Sequence, residues 1–388
     1  MEMEKRIIAG QTLPYLKFFN HHTEAFQDSI WVELQNGLWK EFNIDNYLFN
    51  ESIGDDKPEK WKAVFPYLTP ISAGYKWDEK NKCVALDYYQ AQKIDNVSLS
   101  TFLSVAERFF AKYQGKKIGV HLSGGLDSSL IIGLLHYFHI PFVLVGLKSD
   151  RFEMRTERYV QEVVSKLGES AFLLSLEDYP FFSNLDQVPR HQSPCEFFRG
   201  NEADRALARV FKREGVEVVF TGQGGDSLFM ENELNGLARY NIGYEFLMPW
   251  AAEFFYKPLG IELVSLLADK SIIDQISNLR IGMPEDCSKI WARHFFRDFL
   301  PPELSEYSYV ADFFGLTLDG LEHAKPTIKH LFEESYELTK HYVFSPKETK
   351  RMMLTDVYSF EIKDYINYCS KISVAIWLHS LFKENKDE

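Results

Sequence analysis

The feature that most constrains the fold is a small serine- and glycine-rich loop at residues 121–129, which reads His-Leu-Ser-Gly-Gly-Leu-Asp-Ser-Ser. An apolar, strand-like run precedes it at residues 118–122, and an apolar, helix-like run follows at residues 130–138. Glycines let a backbone approach a ligand closely, and the N–H groups that open a helix favour negative charge. The sequence therefore predicts a strand–loop–helix unit that binds an anion.

One residue of this loop, Asp127, is acidic. A carboxylate inside a phosphate cradle repels the ligand unless a cation such as Mg²⁺ bridges the two. The loop lacks the Gly-Lys-Ser/Thr ending of a Walker A sequence and is not a G-x-G-x-x-G dinucleotide loop. We therefore expect a metal–nucleotide here, with the hydroxyls of Ser123, Ser128 and Ser129 directed at phosphate oxygens.

Composition and charge limit the possible partners. The chain has 388 residues, 45% hydrophobic and 26% charged, as is usual for a globular protein. Its net charge of -13 argues against binding a nucleic-acid backbone. We find no apolar stretch of about 20 residues and no signal core, so we expect no membrane association and a cytoplasmic location. Four dispersed cysteines fit a reducing compartment.

Strand and helix patterns alternate along the middle of the chain. Such alternation predicts an α/β fold, a doubly wound parallel sheet that binds ligands at the carboxyl ends of its strands. The pattern begins with a helix at residues 99–113 and the strand at 118–122. The further predicted strands are 142–147, 171–176 and 216–220, and the further predicted helices are 159–167 and 203–213.

The two ends of the chain show other patterns. Residues 1–95 predict short strands, with hairpins at 31–42 and 73–89, and we expect a small, mainly β region there. Residues 96–388 form the predicted main domain, with a sheet core at 96–230 and a helical half at 231–388. The helical patterns of that half lie at 246–255, 261–267, 290–299, 327–338, 352–365 and 374–382.

A second loop, residues 221–229, follows the strand at 216–220 and reads Thr-Gly-Gln-Gly-Gly-Asp-Ser-Leu-Phe. Its Asp226 taken alone is typical of a helix N-cap. If the two loop-bearing strands lie side by side, however, Asp127 and Asp226 face one another and can share one or two Mg²⁺ ions.

At these two loops the chain resembles the synthetase domain of asparagine synthetase and its relatives β-lactam synthetase and lasso peptide cyclase. The first loop resembles the S-G-G-x-D-S motif of the PP-loop ATP pyrophosphatases, and the second resembles S-G-x-G-x-D-E-L-F. The spacing of the loops is also similar, and the resemblance extends over roughly residues 60–320.

The resemblance implies an ATP- and Mg²⁺-dependent ligase that adenylates a carboxylate, releasing pyrophosphate, and passes the acyl group to an amine. The carboxylate would belong to a small molecule or a peptide, and a partner protein could supply the substrate or the amine. Asp127 and Asp226 would hold the metal. The implied nucleotide-binding residues are Leu122, Ser123, Gly124, Gly125, Leu126, Asp127, Ser128, Ser129, Val145, Gly146, Thr221, Gly222, Gly224 and Gly225.

Three departures from the family pattern bear on the chemistry. Asparagine synthetases carry a catalytic cysteine after the initiator methionine, whereas Glu2 stands here and the first cysteine is Cys83, so we expect no glutaminase activity. By the same resemblance, residues 1–95 correspond to a truncated glutaminase domain without its nucleophile. Gln223, our one catalytic candidate, replaces a Glu or Tyr, and its amide can only orient groups by hydrogen bonds. Residues 307–316 correspond to a family stretch that carries a lysine, but no lysine lies between Lys289 and Lys325.

Two alternative functions remain open from the sequence. One is another PP-loop chemistry such as tRNA modification or sulfur transfer, which the lack of a basic tail and of paired cysteines disfavours. The other is a catalytically weakened, nucleotide-binding partner subunit. Gln223 and the lysine-free stretch favour that reading, and the intact first loop disfavours it.

Overall fold

A computed structural model gives the structure of the chain. It describes residues 15–27, 68–72, 75–149, 160–161, 164–165, 171–191, 194, 196–230, 237–240, 249–282, 289–302, 304 and 314–382. These residues form two compact units built from interleaved parts of the chain. The first comprises residues 1–86, 181–202 and 314–388, and the second comprises 87–180 and 203–313. The predicted domain boundaries at 95/96 and 230/231 remain predictions.

The second unit is built on a five-stranded parallel sheet, which confirms the predicted fold class. Its strands are β7 (Ile118–Leu122), β8 (Phe142–Lys148), β9 (Ala171–Ser175), β10 (Val218–Thr221) and β12 (Glu262–Ser265). They are arranged in the order β12-β10-β7-β8-β9, and every neighbouring pair is parallel. The order reverses at β7, and this is the kind of position where open α/β sheets bind ligands.

Helices cover both faces of this sheet because its central strands are apolar on both sides. On one face, Phe109 and Phe110 of α1 (Leu99–Ala111) pack their rings against Phe220 of β10. On the other, Phe211 of α3 (Asn201–Arg213) lies against Gly119 of β7, which leaves no room for a side chain there. The sheet is therefore doubly wound, as the alternating pattern predicts.

The second unit also contains α2 (Leu126–Tyr137), α4 (Gly225–Met230), α6 (Lys270–Leu279) and α7 (Ile290–Phe295). A short helix α5 (Pro249–Ala251) continues into a π-helical turn at Ala252–Tyr256, and β6 (Tyr89–Gln90) pairs with β11 (Arg239–Tyr240).

The prediction that strands end at about residue 230 and that 261–267 is helical is wrong. Residues Glu262–Ser265 form β12, which pairs with β10, and a 3₁₀ turn follows at Leu266–Ala268. A short apolar run has no decisive period, so its sequence alone does not distinguish a buried strand from a helix. Its position beside β10 decides the matter.

The first unit contains a small antiparallel β region. Strand β1 (Tyr15–Asn20) lies between β2 (Ala25–Gln27) and β3 (Leu68–Ser72), and β4 (Tyr75–Asp78) forms a hairpin with β5 (Cys83–Leu86). This second hairpin is the one predicted within residues 73–89. The hairpin predicted at 31–42 lies outside the described residues.

In the described part of the first unit, the α-helices are α8 (Phe314–Thr339), α9 (Pro346–Leu354) and α10 (Ile362–Phe382). The single helix predicted at 352–365 is wrong, because Thr355 is extended and Asp356 caps a separate 3₁₀ turn at Val357–Ser359. None of the helices that the structure describes is long and apolar enough to cross a membrane.

Candidate nucleotide site

The two loops singled out in the sequence lie at the same edge of the parallel sheet. Strand β7 carries the first loop and β10 carries the second, and Val218–Phe220 pair in parallel with Ile118–Val120. Because parallel neighbours end at a common edge, both loops emerge side by side at the carboxyl ends of their strands.

The first loop turns directly into α2. Gly124 has φ +73°, and α2 begins at Leu126 with Gly125 as its N-cap residue. The hydroxyls of Ser123 and Ser128 lie 2.8 Å apart, and Ser128 Oγ donates to the Gly125 carbonyl at 3.2 Å. These bonds give the loop a defined shape, while the first N–H groups of a 12-residue helix point toward its opening.

The second loop has a similar backbone. Gly224 has φ +86°, and α4 begins at the next residue. Ser265 Oγ of β12 donates to the Gln223 carbonyl at 2.8 Å, and the Gln223 N–H donates to Thr221 Oγ1 at 3.3 Å. The strand that the sequence did not predict thus holds the backbone of the second loop.

Glycine at position 222 lets the two loops touch. A Cβ at Gly222 would come within 2.7 Å of the Ser128 backbone nitrogen and 2.9 Å of the Asp127 carbonyl carbon. Real Cβ atoms do not approach other atoms so closely, so any other residue would push the loops apart.

The carboxylates of Asp127 and Asp226 meet at one side chain, the ammonium of Lys289. Lys289 Nζ lies 2.8 Å from both Asp127 carboxylate oxygens and 2.6 Å from Asp226 Oδ1. Asp127 is largely buried, with 20% of its side chain exposed, whereas 82% of the Asp226 side chain is exposed. The arrangement brings the two predicted metal ligands together and adds a cation that sequence reasoning did not place there.

Burial and charge act in opposite directions on this cluster. Burial raises the pKa of Asp127, and the neighbouring Lys289 ammonium offsets that rise only in part. Burial also lowers the pKa of Lys289, but the charges of Asp127 and Asp226 outweigh it and hold that pKa above its ordinary value. Lys289 is therefore a cation at neutral pH.

The other predicted nucleotide-binding residues surround the same edge. The side chains of Leu122, Val145 and Leu126 are buried in the core, so only their backbone atoms can serve a ligand. Gly146 pairs with Leu122 between β8 and β7. Ser129 is also buried and its hydroxyl has no hydrogen-bond partner, whereas Ser123 is exposed. Whether these residues contact a nucleotide stays a prediction.

A polar pair joins the strand before the first loop to a neighbouring turn, with one partner, Tyr256, buried and the other, His121, partly buried. His121 Nε2 lies 2.5 Å from the hydroxyl of Tyr256, which belongs to the π-helical turn. Burial lowers the pKa of His121 to about 4 and raises that of Tyr256 well above its ordinary value. Both groups are therefore neutral at neutral pH, and the pair ties β7 to this turn without adding charge.

The residues present fit a divalent metal that arrives with phosphate. Asp127 and Asp226 offer the carboxylate oxygens that Mg²⁺ prefers, and Mg²⁺ usually takes only one or two of these with phosphates and water completing its shell. Among the described residues, no group of three or more His, Cys, Asp or Glu side chains gathers into a metal site. The donor set suits a metal–nucleotide better than a protein-only metal site.

Lys289 is the functional candidate that sequence reasoning missed. It directly precedes α7 and stands 162 residues after Asp127 in the chain. No local motif marks it, and in the sequence it served only as the border of the lysine-free stretch. Within the stretch at 307–316, residues 307–313 lie outside the described part of the chain.

The fold and site together define a parallel α/β domain with two glycine-rich loops at one sheet edge. Residues 104–260 match the asparagine synthase family, which confirms the resemblance over that part of the chain. The solved structure of an NMN synthetase from Francisella tularensis aligns at 13% identity and a TM-score of 0.27, covering 58% of this chain and 92% of that one. No curated protein sequence matches the chain.

Proposed function

We propose that the chain is an ATP-dependent carbon–nitrogen ligase that activates a carboxylate as its adenylate and transfers the acyl group to an amine. One observation carries the proposal. Two loops within the segment that matches the asparagine synthase family converge, so that Asp127 and Asp226 both contact the ammonium of Lys289. Lys289 itself lies beyond the end of that segment. Converging carboxylates beside a glycine-lined helix start suit a metal–triphosphate.

Each loop residue then has a role that its chemistry allows. The N–H groups at the start of α2, with the exposed hydroxyl of Ser123, would orient the β and γ phosphates. The buried Ser128 hydroxyl, 2.8 Å from that of Ser123, would hold the Ser123 side chain in position. Asp127 and Asp226 would hold Mg²⁺, which when bound neutralises charge on the departing pyrophosphate. Lys289 supplies further positive charge beside the same phosphates. In this role Lys289 would take the place of the family lysine that residues 307–316 lack.

The proposed reaction has two steps, adenylation of the carboxylate and transfer of the acyl group to the amine. A carboxylate oxygen of the substrate forms a bond to the α-phosphorus of ATP, and the bond from that phosphorus to the bridging oxygen breaks, so that pyrophosphate leaves. The amine nitrogen then bonds to the acyl carbon, the bond from that carbon to the phosphate oxygen breaks so that AMP leaves, and the nitrogen releases a proton to solvent. Gln223 cannot take that proton, so we assign its amide an orienting role.

The substrates follow from this chemistry. The carboxylate donor would be a small molecule or a peptide, and the amine would be used directly rather than released from glutamine. A partner protein that delivers either substrate is compatible with the proposal. Neither a nucleic acid nor a membrane is needed for it.

The nucleotide products provide the test. Purified protein is incubated with Mg²⁺, ATP and a panel of carboxylates, with hydroxylamine as a general amine acceptor, and the products are separated by chromatography. We expect AMP and pyrophosphate in equal amounts, together with a hydroxamate. Asp127→Asn should lower the rate by about 10²–10³-fold, the usual loss when a charge-stabilising group is removed. Asp298→Asn alters an exposed aspartate and should have no effect.

The other outcomes distinguish the alternatives. ADP as the sole nucleotide product would contradict the proposed PP-loop chemistry, because it would place attack at the γ-phosphorus. Nucleotide binding without turnover of any carboxylate would favour the weakened partner subunit.

A further inference from the structure

The ammonium of Lys289 contacts the same carboxylate oxygens that a metal would need. It donates to both oxygens of Asp127 and to Asp226, and only 9% of its side chain is exposed. The three residues come from three separate segments: the first loop, the second loop and the residue before α7. The contact is therefore a product of the tertiary fold and not of one flexible surface segment.

The backbone at Lys289 is itself unusual. Its φ and ψ are +56° and +34°, a left-handed backbone conformation that residues other than Gly, Asn and Asp rarely adopt. The residue caps the start of α7, and its Nζ also lies 5.7 Å from the centre of the Phe229 ring. Surrounding structure thus holds this lysine in place against a local backbone preference.

The charges of the cluster explain what the lysine does. Two carboxylates and one ammonium leave a net charge of about −1, where the carboxylates alone would present about −2 to a cation. A divalent ion that binds both carboxylates must displace the ammonium, which would then be buried without an acceptor. Phosphate oxygens of an incoming nucleotide would provide that acceptor.

We propose that Lys289 is a built-in counter-ion that excludes divalent metal from Asp127 and Asp226 until a nucleotide brings the metal in. The inference rests on the proposed function, since it requires these carboxylates to hold the metal of a metal–nucleotide. It predicts strong mutual dependence: the nucleotide raises metal affinity, and by linkage the metal raises nucleotide affinity by the same factor.

The test is a titration with Mn²⁺, with free Mn²⁺ followed by electron paramagnetic resonance. It is run with the protein alone and with α,β-methylene-ATP, which cannot be cleaved between the α and β phosphates. Wild type should bind Mn²⁺ alone weakly and bind it tightly with the analogue. Lys289→Met should bind Mn²⁺ alone at least about tenfold more tightly, or about 1.4 kcal/mol. Lys116→Met removes an exposed lysine paired with Glu262 and should behave as wild type.

Two further variants guard against unfolding. Lys289→Gln keeps a donor without the charge and should resemble Lys289→Met, whereas Lys289→Arg keeps the charge and should resemble wild type. In wild type itself, the ¹⁵N signal of the Lys289 ammonium, assigned by its loss in Lys289→Arg, should shift with Mg²⁺ plus analogue and not with Mg²⁺ alone.

Equal Mn²⁺ affinity in wild type and the charge-removing variants would overturn the inference, as would an ammonium signal that shifts with Mg²⁺ alone. If wild type binds the analogue in neither the presence nor the absence of metal, the proposed function itself fails. The two failures are therefore separable.

Discussion

Gly225 lies so close to Asp127 that a Cβ on it would come within 2.2 Å of the Asp127 carboxyl carbon. The carboxylate of the first loop therefore fits against the bare backbone of the second loop. This contact sets where the Asp127 carboxylate stands relative to Lys289 and Asp226, because a larger residue would have to displace it.

Gly225→Ala should therefore weaken metal–nucleotide binding by at least about tenfold, since the added methyl moves the Asp127 carboxylate. Calorimetric titration with Mg²⁺ and α,β-methylene-ATP measures the change. Gly282→Ala is a useful control, because a Cβ there meets nothing within 4 Å although its φ is +81°. That variant should lose some stability from backbone strain and keep its nucleotide affinity. Equal affinity in both variants would count against the close contact.

Asp127→Asn and Asp226→Asn should both weaken Mg–ATP binding but differ in their effect on stability. Asp127 is largely buried against Lys289, so removing its charge leaves a buried ammonium poorly compensated and should cost about 2 kcal/mol or more. Asp226 is 82% exposed, and its loss should cost less than about 1 kcal/mol. Urea unfolding measures both, and equal losses would contradict the assigned burial.

The protein should lose stability as the pH falls from about 6.5 toward 4, partly through His191. This histidine is 4% exposed, and burial lowers its pKa from 6.5 to about 4. Above pH 6.5 the ring is neutral in both states; below it only the unfolded chain takes up the proton, so unfolding becomes more favourable by up to about 3 kcal/mol. Urea unfolding across this range should show a flatter dependence for His191→Gln. An unchanged slope would contradict the buried, neutral ring.

The protein should not hydrolyse glutamine. Of the cysteines that the structure describes, Cys83 lies within strand β5 and Cys369 is buried in α10. A glutaminase needs an accessible, activated thiolate, and neither position is typical of one. Release of glutamate from glutamine is the measurement. A rate that depends on Cys83, or one that persists when all four cysteines are replaced, would contradict this expectation.

The sequence alone determined the local parts of the fold. The strand at Ile118–Leu122 was predicted with its observed bounds, and both loops lie at the ends of buried strands. The glycines, serines and aspartates of these loops predict phosphate and metal binding, because such a motif is formed by residues that are adjacent in the chain. The spacing of apolar residues and the composition of turns are local patterns of a few residues, so they can be recognised from the sequence alone.

Only the tertiary structure decided how these parts meet. Residues Glu262–Ser265 became a strand because β10 offered a parallel edge, and the position of Lys289 between Asp127 and Asp226 depends on contacts across 162 residues of chain. Residues so far apart in the chain show no repeating sequence pattern that links them, because their contact arises from packing that brings distant segments together. The sequence therefore could not predict that Lys289 is the counter-ion of Asp127 and Asp226, because only the folded chain brings the three residues together.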